Sequence, residues 1–457
     1  MSKMRQKRSP QLSVFHALAA TEIGKELASI SLIIDETPQM LDPIYQDLVG
    51  LRQTDNGRTG MTAEQVLRCA ILKQYRNLSY EELAFHLADS VTFRTFARLE
   101  RKQRPSASTL QENIKSLSEE TWEAVNRAVI ANAAKTGIEK GRTVRIDSTA
   151  VECDIHYPTD SVLIQDAVRA ITGILIEGKT LFPTPGYNFC DHRRVVKKRV
   201  LKIKDSRKEK VRRACYKDLL DFAELVRGYG ESAVAVLGGF KSPDPEHIIH
   251  ARILVEKLER ALGLLSRIID QTRRRVINGE KVPASEKIVS FFECHTDIIE
   301  KGNRETTYGH KVFLTGGESG LILDCLIERG NPADSSMFVP LMDRQKQIYG
   351  RYPRQVAGDG GFACETNLKT GKSNGIKDIA FAKRKGISIL EMVKSTWVYK
   401  KLRNFRAGIE ANISVLKRAF GLFRSTWSGW HGFVRCVRSA IVAYNLLVLG
   451  RLRPAQV

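Results

Sequence analysis

Residues 403–420, RNFRAGIEANISVLKRAF, decide how this chain is read. At 3.6 residues per turn, Ile409, Ile413, Leu416 and Phe420 fall on one apolar stripe, and Arg406, Glu410 and Lys417 on a second stripe about 100° away. The apolar stripe is expected to face a core. One carboxylate then stands at the border of that core, with a guanidinium one turn before it and an ammonium two turns after, an arrangement that is costly without a ligand. An Arg and a Glu at i,i+4 also occur on many solvated helix faces, where the pair contributes little. The expectation that Glu410 binds a metal ion, with Arg406 and Lys417 holding phosphate, therefore depends on carboxylates elsewhere in the chain.

Two aspartates supply them. RTVRI, residues 142–146, alternates β-branched and basic residues and runs into Asp147-Ser148-Thr149, which reads as a strand ending at a carboxylate. RQVAGDGGF, residues 354–362, places Asp359 at a second strand end, between glycines that let backbone and ligand approach closely. An Asp at a strand end also serves as a turn former, so neither position is decisive by itself. Together, Asp147, Asp359 and Glu410 have the hard oxygen donors that Mg²⁺ or Mn²⁺ prefers. Two such ions about 4 Å apart suit an in-line displacement at phosphorus.

The composition points to the same kind of partner. The 457 residues, enough for two or three domains, carry 73 Lys and Arg against 51 Asp and Glu, a net charge of +22. An excess of that size fits a polyanion, with nucleic acid the commonest for a soluble protein. No apolar run approaches the ~20 residues that span a bilayer. The best, residues 440–449, contains Tyr444 and Asn445 and reads as a core helix. The basic start, MSKMRQKRSPQLSVF, lacks the apolar segment and cleavage site of a signal peptide, and the eight cysteines include no C-x-x-C pair. Cytoplasmic, reduced thiols are the expectation. Cys190 with His192, and Cys294 with His295, lack a partner pair at metal-ligand spacing. Gly371-Lys372-Ser373 resembles the end of a nucleotide-binding loop, but Thr366 stands where its first glycine would be.

Along the chain, residues 54–58 form a turn-rich stretch, and short helices follow. Thr62 with Gln65, Ser79 with Glu82, and Ser108 with Gln111 have capping-box spacing. Residues 62–99 fit a helix-turn-helix, with Lys73, Arg76, Arg94, Arg98, Arg101, Lys102 and Arg104 available for phosphates. A helix over 119–135 precedes the first aspartate. Residues 160–285 are helical by period, as in 248–277, where Leu254, Val255, Leu258, Leu262, Leu265 and Ile269 follow 3,4 spacing. Within them, RRVVKKRVLKIKDSRKEKVRR, residues 193–213, has twelve basic residues opposed only by Asp205 and Glu209. A run like this is often a solvated helix face, but its place in an ordered-looking segment favours a phosphate-tracking surface that includes Arg193, Arg194, Lys197 and Lys198. A hairpin over 310–315 and 321–328, a helix over 334–348 and a strand over 379–382 complete the pattern.

R-x3-E-x6-K at Arg406, Glu410 and Lys417 looks like the C-terminal part of the Y-x2-R-x3-E-x6-K signature of DDE transposases of bacterial insertion sequences. Arg403 stands at that signature's tyrosine position. The strand-D-S-T segment at Asp147 and G-D-G-G-F at Asp359 resemble the first and second D regions of these enzymes. FFECHTDIIEKG, from Phe291, and YGHKVFLTGG, from Tyr308, are similar to the ISNCY-type group. The resemblance runs from about residue 60 to 450.

It implies an α/β fold: a ribonuclease-H-like mixed sheet of five strands with helices on both faces, interrupted by a helical insertion and preceded by an all-helical domain. The implied division is 1–135 for a helical DNA-binding domain, 136–159 and 289–457 for the catalytic domain, and 160–288 for a basic helical insertion. It also implies a reaction, metal-dependent cleavage at transposon ends followed by attack of the freed 3′ hydroxyls on target DNA, with Asp147, Asp359 and Glu410 holding two Mg²⁺ or Mn²⁺ ions. The implied partners are terminal inverted repeats and target DNA, with a homodimer or higher oligomer on the DNA, no membrane, and a cytoplasmic, nucleoid-associated location in a bacterium. A nuclease that cuts without joining, and a catalytically inactive DNA-binding protein of the same fold, are the rival readings.

Overall fold

The structure is a computed structural model that describes residue 7 and residues 21–50, 60–184, 186–300, 305–383 and 385–453. The turn-rich residues 54–58 and most of the basic start lie outside the described residues. The chain divides into two compact units, Met1–Asp154 with Lys301–Val457, and Ile155–Glu300.

Among the described residues, the first unit opens with the helices α1 (Glu22–Glu36), α2 (Leu41–Gly50), α3 (Ala63–Tyr75), α4 (Tyr80–Asp89), α5 (Val91–Phe96), α6 (Ala107–Lys115) and α7 (Glu119–Lys135). The capping boxes at Thr62 with Gln65 and at Ser79 with Glu82 are both formed. The third is not. Ser106, extended after Pro105, caps α6 by accepting from the Thr109 N–H, which puts Ser108 inside the first turn. Arg68 is wholly buried, with Nε 3.1 Å from Glu64 and Nη2 2.9 Å from Asp35, and Arg98 bridges the same two acids. Burial pushes the Arg68 guanidinium down to about 10 despite these acids. Lys73 is buried too, its ammonium 4.9 Å from the centre of the Tyr80 ring. Arg98 and Lys73, which the sequence offers for phosphates, therefore hold the helices together instead.

Strand β1 (Thr143–Cys153) follows. Its sequence predicts an end at Asp147, yet it continues to Cys153 because a strand far along the chain pairs with it from Arg145 to Glu152. The second unit comes next in sequence and is built from α8 (Asp160–Leu181), α9 (Arg193–Asp205), α10 (Glu209–Gly238) and α11 (Pro245–Thr272), the last running on through a π-helical turn, Arg273–Ile277. Leu254, Leu258, Leu262, Leu265 and Ile269 of α11 join its core, as their spacing predicts, and Val255 packs half-buried against it.

The first unit resumes with β2 (Thr307–Gly316), β3 (Ile322–Glu328), a 3₁₀ turn (Asp334–Met337), α12 (Phe338–Tyr349), β4 (Gln355–Gly358), a 3₁₀ turn (Gly360–Phe362), α13 (Glu365–Ser373), β5 (Asp378–Phe381), α14 (Thr396–Ala419), β6 (Arg424–Ser425) and α15 (Gly429–Leu452). The strand order is β3-β2-β1-β4-β5, with β6 beside the end of β1. The β3–β2 and β2–β1 pairs are antiparallel, and the β1–β4 and β4–β5 pairs parallel. Helix α14 packs across β1, β4 and β5, while α7, α12 and α15 pack against β3. This is the ribonuclease-H-like mixed sheet that the resemblance implies.

By length and composition α15 could cross a membrane, but most of it is buried inside the protein, packed against α1, α3 and α7. The two polar residues that interrupt its apolar run hold the β2–β3 turn. Asn445 accepts from the Ile322 N–H at 2.8 Å and donates to the Ile322 carbonyl at 2.7 Å, and the Tyr444 hydroxyl donates to the Gly320 carbonyl at 3.1 Å.

Candidate active site

The parallel register of β1 and β4 brings the two aspartates together. Thr143 to Ile146 pair in order with Gln355 to Gly358, so Asp147 and Asp359 each stand one residue beyond the Ile146–Gly358 pair on neighbouring strands. Adjacent strands lie about 4.8 Å apart, which puts the two carboxylates at the same level of the sheet. Asp147 is almost buried, and its Oδ1 accepts from the Ser148 N–H at 2.8 Å.

Helix α14 adds the third carboxylate. Its buried face carries Leu402, Ile409 and Leu416, and Phe420 is buried just past its end. Ile413 departs from this pattern: it is half-buried and lines the cleft in which the carboxylates stand. Where the helix crosses β1, Arg145 lies over the Phe405 ring at 4.9 Å and donates to the Phe405 carbonyl at 3.2 Å. Gly408 permits this crossing, since a Cβ there would fall 1.9 Å from Arg145 Nη1.

Next to Phe405, the Arg406 guanidinium reaches all three acids through one nitrogen. Nη2 is 2.8 Å from Glu410 Oε1, 3.3 Å from Asp147 Oδ2 and 3.7 Å from Asp359 Oδ1. Burial works against the charge of Arg406, but Asp147, Asp359 and Glu410 more than offset it, and the guanidinium is held above its ordinary pKa. The cleft has a volume of about 850 Å³. Lys417 also lines it, and its ammonium donates to the Ala150 carbonyl on β1 at 2.8 Å.

The structure thus brings Asp147, Asp359, Glu410, Arg406 and Lys417 to one cleft. Arg193, Arg194, Lys197 and Lys198 stand in the second unit, all exposed on α9, whose other side buries Val196, Val200 and Ile203. Arg193 is paired with Asp191 through three contacts of 2.6–3.0 Å. Sequence reasoning misses Asp334, Lys311 and Ser148, which line the cleft together with the carboxylates. By its neighbours Asp334 is only the start of a helix. Its one local signal is the preceding Pro332, which marks a helix beginning and nothing more.

The carboxylate cluster fits divalent metal. Three oxygen donors surround a single point, and that point already holds a cationic nitrogen of this chain.

Comparison with known families matches residues 289–446 to the transposase DDE domain and residues 18–116 to a transposase domain, DUF772. The first match contains Asp359, Arg406, Glu410 and Lys417; Asp147 precedes it, on the far side of the helical unit in sequence. No curated protein and no solved structure matched the chain. With a transposase domain over its N-terminal helices, a transposase DDE domain over its C-terminal part and a ribonuclease-H-like sheet that gathers two aspartates and a glutamate, the chain belongs to the DDE transposases typical of bacterial insertion sequences.

Proposed function

We propose that this DNA-acting enzyme cleaves the ends of its own insertion element and joins the freed 3′ hydroxyls to target DNA, with Asp147, Asp359 and Glu410 holding two Mg²⁺ or Mn²⁺ ions. The observation that carries the reading is the approach of all three carboxylates to one Arg406 nitrogen. Held by Asp147, Asp359 and Glu410, two such ions would supply activation of the attacking oxygen and stabilisation of the leaving one, which would let one site serve water in cleavage and a sugar hydroxyl in joining.

The chain's own groups orient the DNA. Asp147 is fixed by the Ser148 N–H, and Arg406 and Lys417 hold the phosphate beside the scissile bond, Lys417 as a point charge anchored to β1. The helices within residues 1–135 and the exposed cations of α9, in a helical insertion over 160–288, bind flanking phosphates; residues 136–159 and 289–457 make up the catalytic domain. The enzyme works as a dimer or higher oligomer on paired terminal repeats, in the cytoplasm and at the nucleoid.

The test uses purified protein, Mg²⁺ and a duplex that carries the terminal repeat flanking the gene. Asp147→Asn, Asp359→Asn and Glu410→Gln, which are nearly isosteric, are each expected to abolish cleavage and leave DNA binding largely intact. Substantial cleavage by any one variant removes that residue from the site, and cut ends that never become joined products make the enzyme a nuclease.

A further inference from the structure

Asp334 connects the two strand-borne carboxylates. Its Oδ1 accepts from the Ser148 hydroxyl at 3.2 Å and from the Lys311 ammonium at 3.1 Å. Ser148 is the residue whose N–H donates to Asp147. The other oxygen of Asp334 packs on Gly361, two residues beyond Asp359, so closely that a Cβ built there would lie 2.4 Å away. Lys311 is held in turn by the Pro332 carbonyl at 2.7 Å. Behind this contact, Asn367 Nδ2 donates to the Ser335 carbonyl at 2.7 Å and to the Phe362 carbonyl at 2.9 Å, which fastens the turn that starts at Asp334 to the turn that follows Asp359.

We propose that Asp334 is a positioning residue for the DNA-cleaving reaction: held by Lys311, it sets the spacing between the Asp147 strand and the Asp359 turn, and so the geometry in which the carboxylates take up divalent cations. The proposal rests on Asp147, Asp359 and Glu410 being the metal-binding set. Asp334 is paired with the Lys311 ammonium at 3.1 Å, whereas Asp147, Asp359 and Glu410 converge on the Arg406 guanidinium, which sets Asp334 apart from the converging set. Groups that orient metal ligands in this way typically change metal affinity by about 10- to 100-fold when removed.

Mn²⁺ binding to the metal-free, full-length protein without DNA, followed by electron paramagnetic resonance, tests this, with melting temperature recorded for each variant. Asp334→Asn keeps an oxygen that accepts from Ser148 and Lys311, and its affinity is expected within about fivefold of the wild type. Asp334→Ala, and Asn367→Ala outside the cleft, are expected to bind at least about tenfold more weakly, and Asp359→Asn more weakly still. If Asp334→Asn loses as much affinity as Asp359→Asn, Asp334 is itself a ligand and the positioning role is overturned. Wild-type affinity in Asp334→Ala and Asn367→Ala, beside a loss in Asp359→Asn, also overturns it and leaves the metal site standing. Should Asp334→Ala not fold, Asn367→Ala decides alone. If Asp359→Asn binds Mn²⁺ as the wild type does, the metal-site reading fails and takes this proposal with it.

Discussion

Arg406 and Asp147, 259 residues apart in sequence, meet at 3.3 Å, and the guanidinium nitrogen that joins them also faces Glu410 and Asp359. Arg406 is therefore a counter-charge of the carboxylate cluster. Arg406→Ala is expected to have two opposed effects. In EDTA the unrelieved repulsion lowers the melting temperature by about 2–4 °C, the shift that goes with roughly 1 kcal/mol. Mn²⁺ affinity rises about tenfold, because a competing cation of this chain has gone. Calorimetry across a Mn²⁺ series checks both effects, and an affinity no higher than the wild type's means the guanidinium does not hold the cation position.

Lys417 reaches the cleft from the same helix and is tied to the Ala150 carbonyl. Lys417→Met keeps the apolar stem and removes the charge. If the ammonium holds a phosphate near the scissile bond, the variant needs about tenfold more end DNA for half-maximal cleavage, and its maximal rate changes less than threefold. Glu410→Gln recovers at no DNA concentration. Steady-state kinetics over a DNA titration separates the two, and unchanged kinetics in Lys417→Met reduces the ammonium to a tie between helix and strand.

Gly408 sits where α14 crosses β1. In an exposed helix, Gly→Ala gains about 1 kcal/mol of helix propensity. Here the added methyl meets the buried Arg145 guanidinium, which is held by the Phe405 ring and carbonyl, so the crossing has to widen. Gly408→Ala is expected to destabilise the protein by about 1–2 kcal/mol, as overpacking does, and to slow cleavage by displacing Glu410 and Arg406. Chemical denaturation with a parallel cleavage assay tests this; a more stable variant with full activity shows that Arg145 yields without cost.

The exposed cations of α9 give a prediction in salt. Replacing Arg193, Arg194, Lys197 and Lys198 by Ala is expected to flatten the slope of log affinity against log salt by roughly 0.9 for each phosphate no longer neutralised, equally for terminal-repeat and random DNA. Arg193 is already paired with Asp191, so its share is expected to be the smallest of the four. A slope equal to the wild type's makes this face of α9 a solvated surface.

The sequence by itself determined what depends on neighbours within a turn or two. The α7 boundaries, the capping boxes at Thr62 and Ser79, the buried face of α11 and the common face of Arg406 and Glu410 all follow from backbone N–H groups and side chains three or four residues apart. The family resemblance rests on the same local spacing. Tertiary structure decided the rest. That Asp147 and Asp359 stand side by side depends on the register Ile146↔Gly358, and that β1 runs past Asp147 depends on its pairing with β2. No local pattern encodes either, because a strand's partner is chosen by contacts across the whole chain. For the same reason Lys73 and Arg98, exposed cations by composition, became interior supports, and Asp334, a helix starter by its neighbours, became the contact between the middle of β1 and the turn that follows β4.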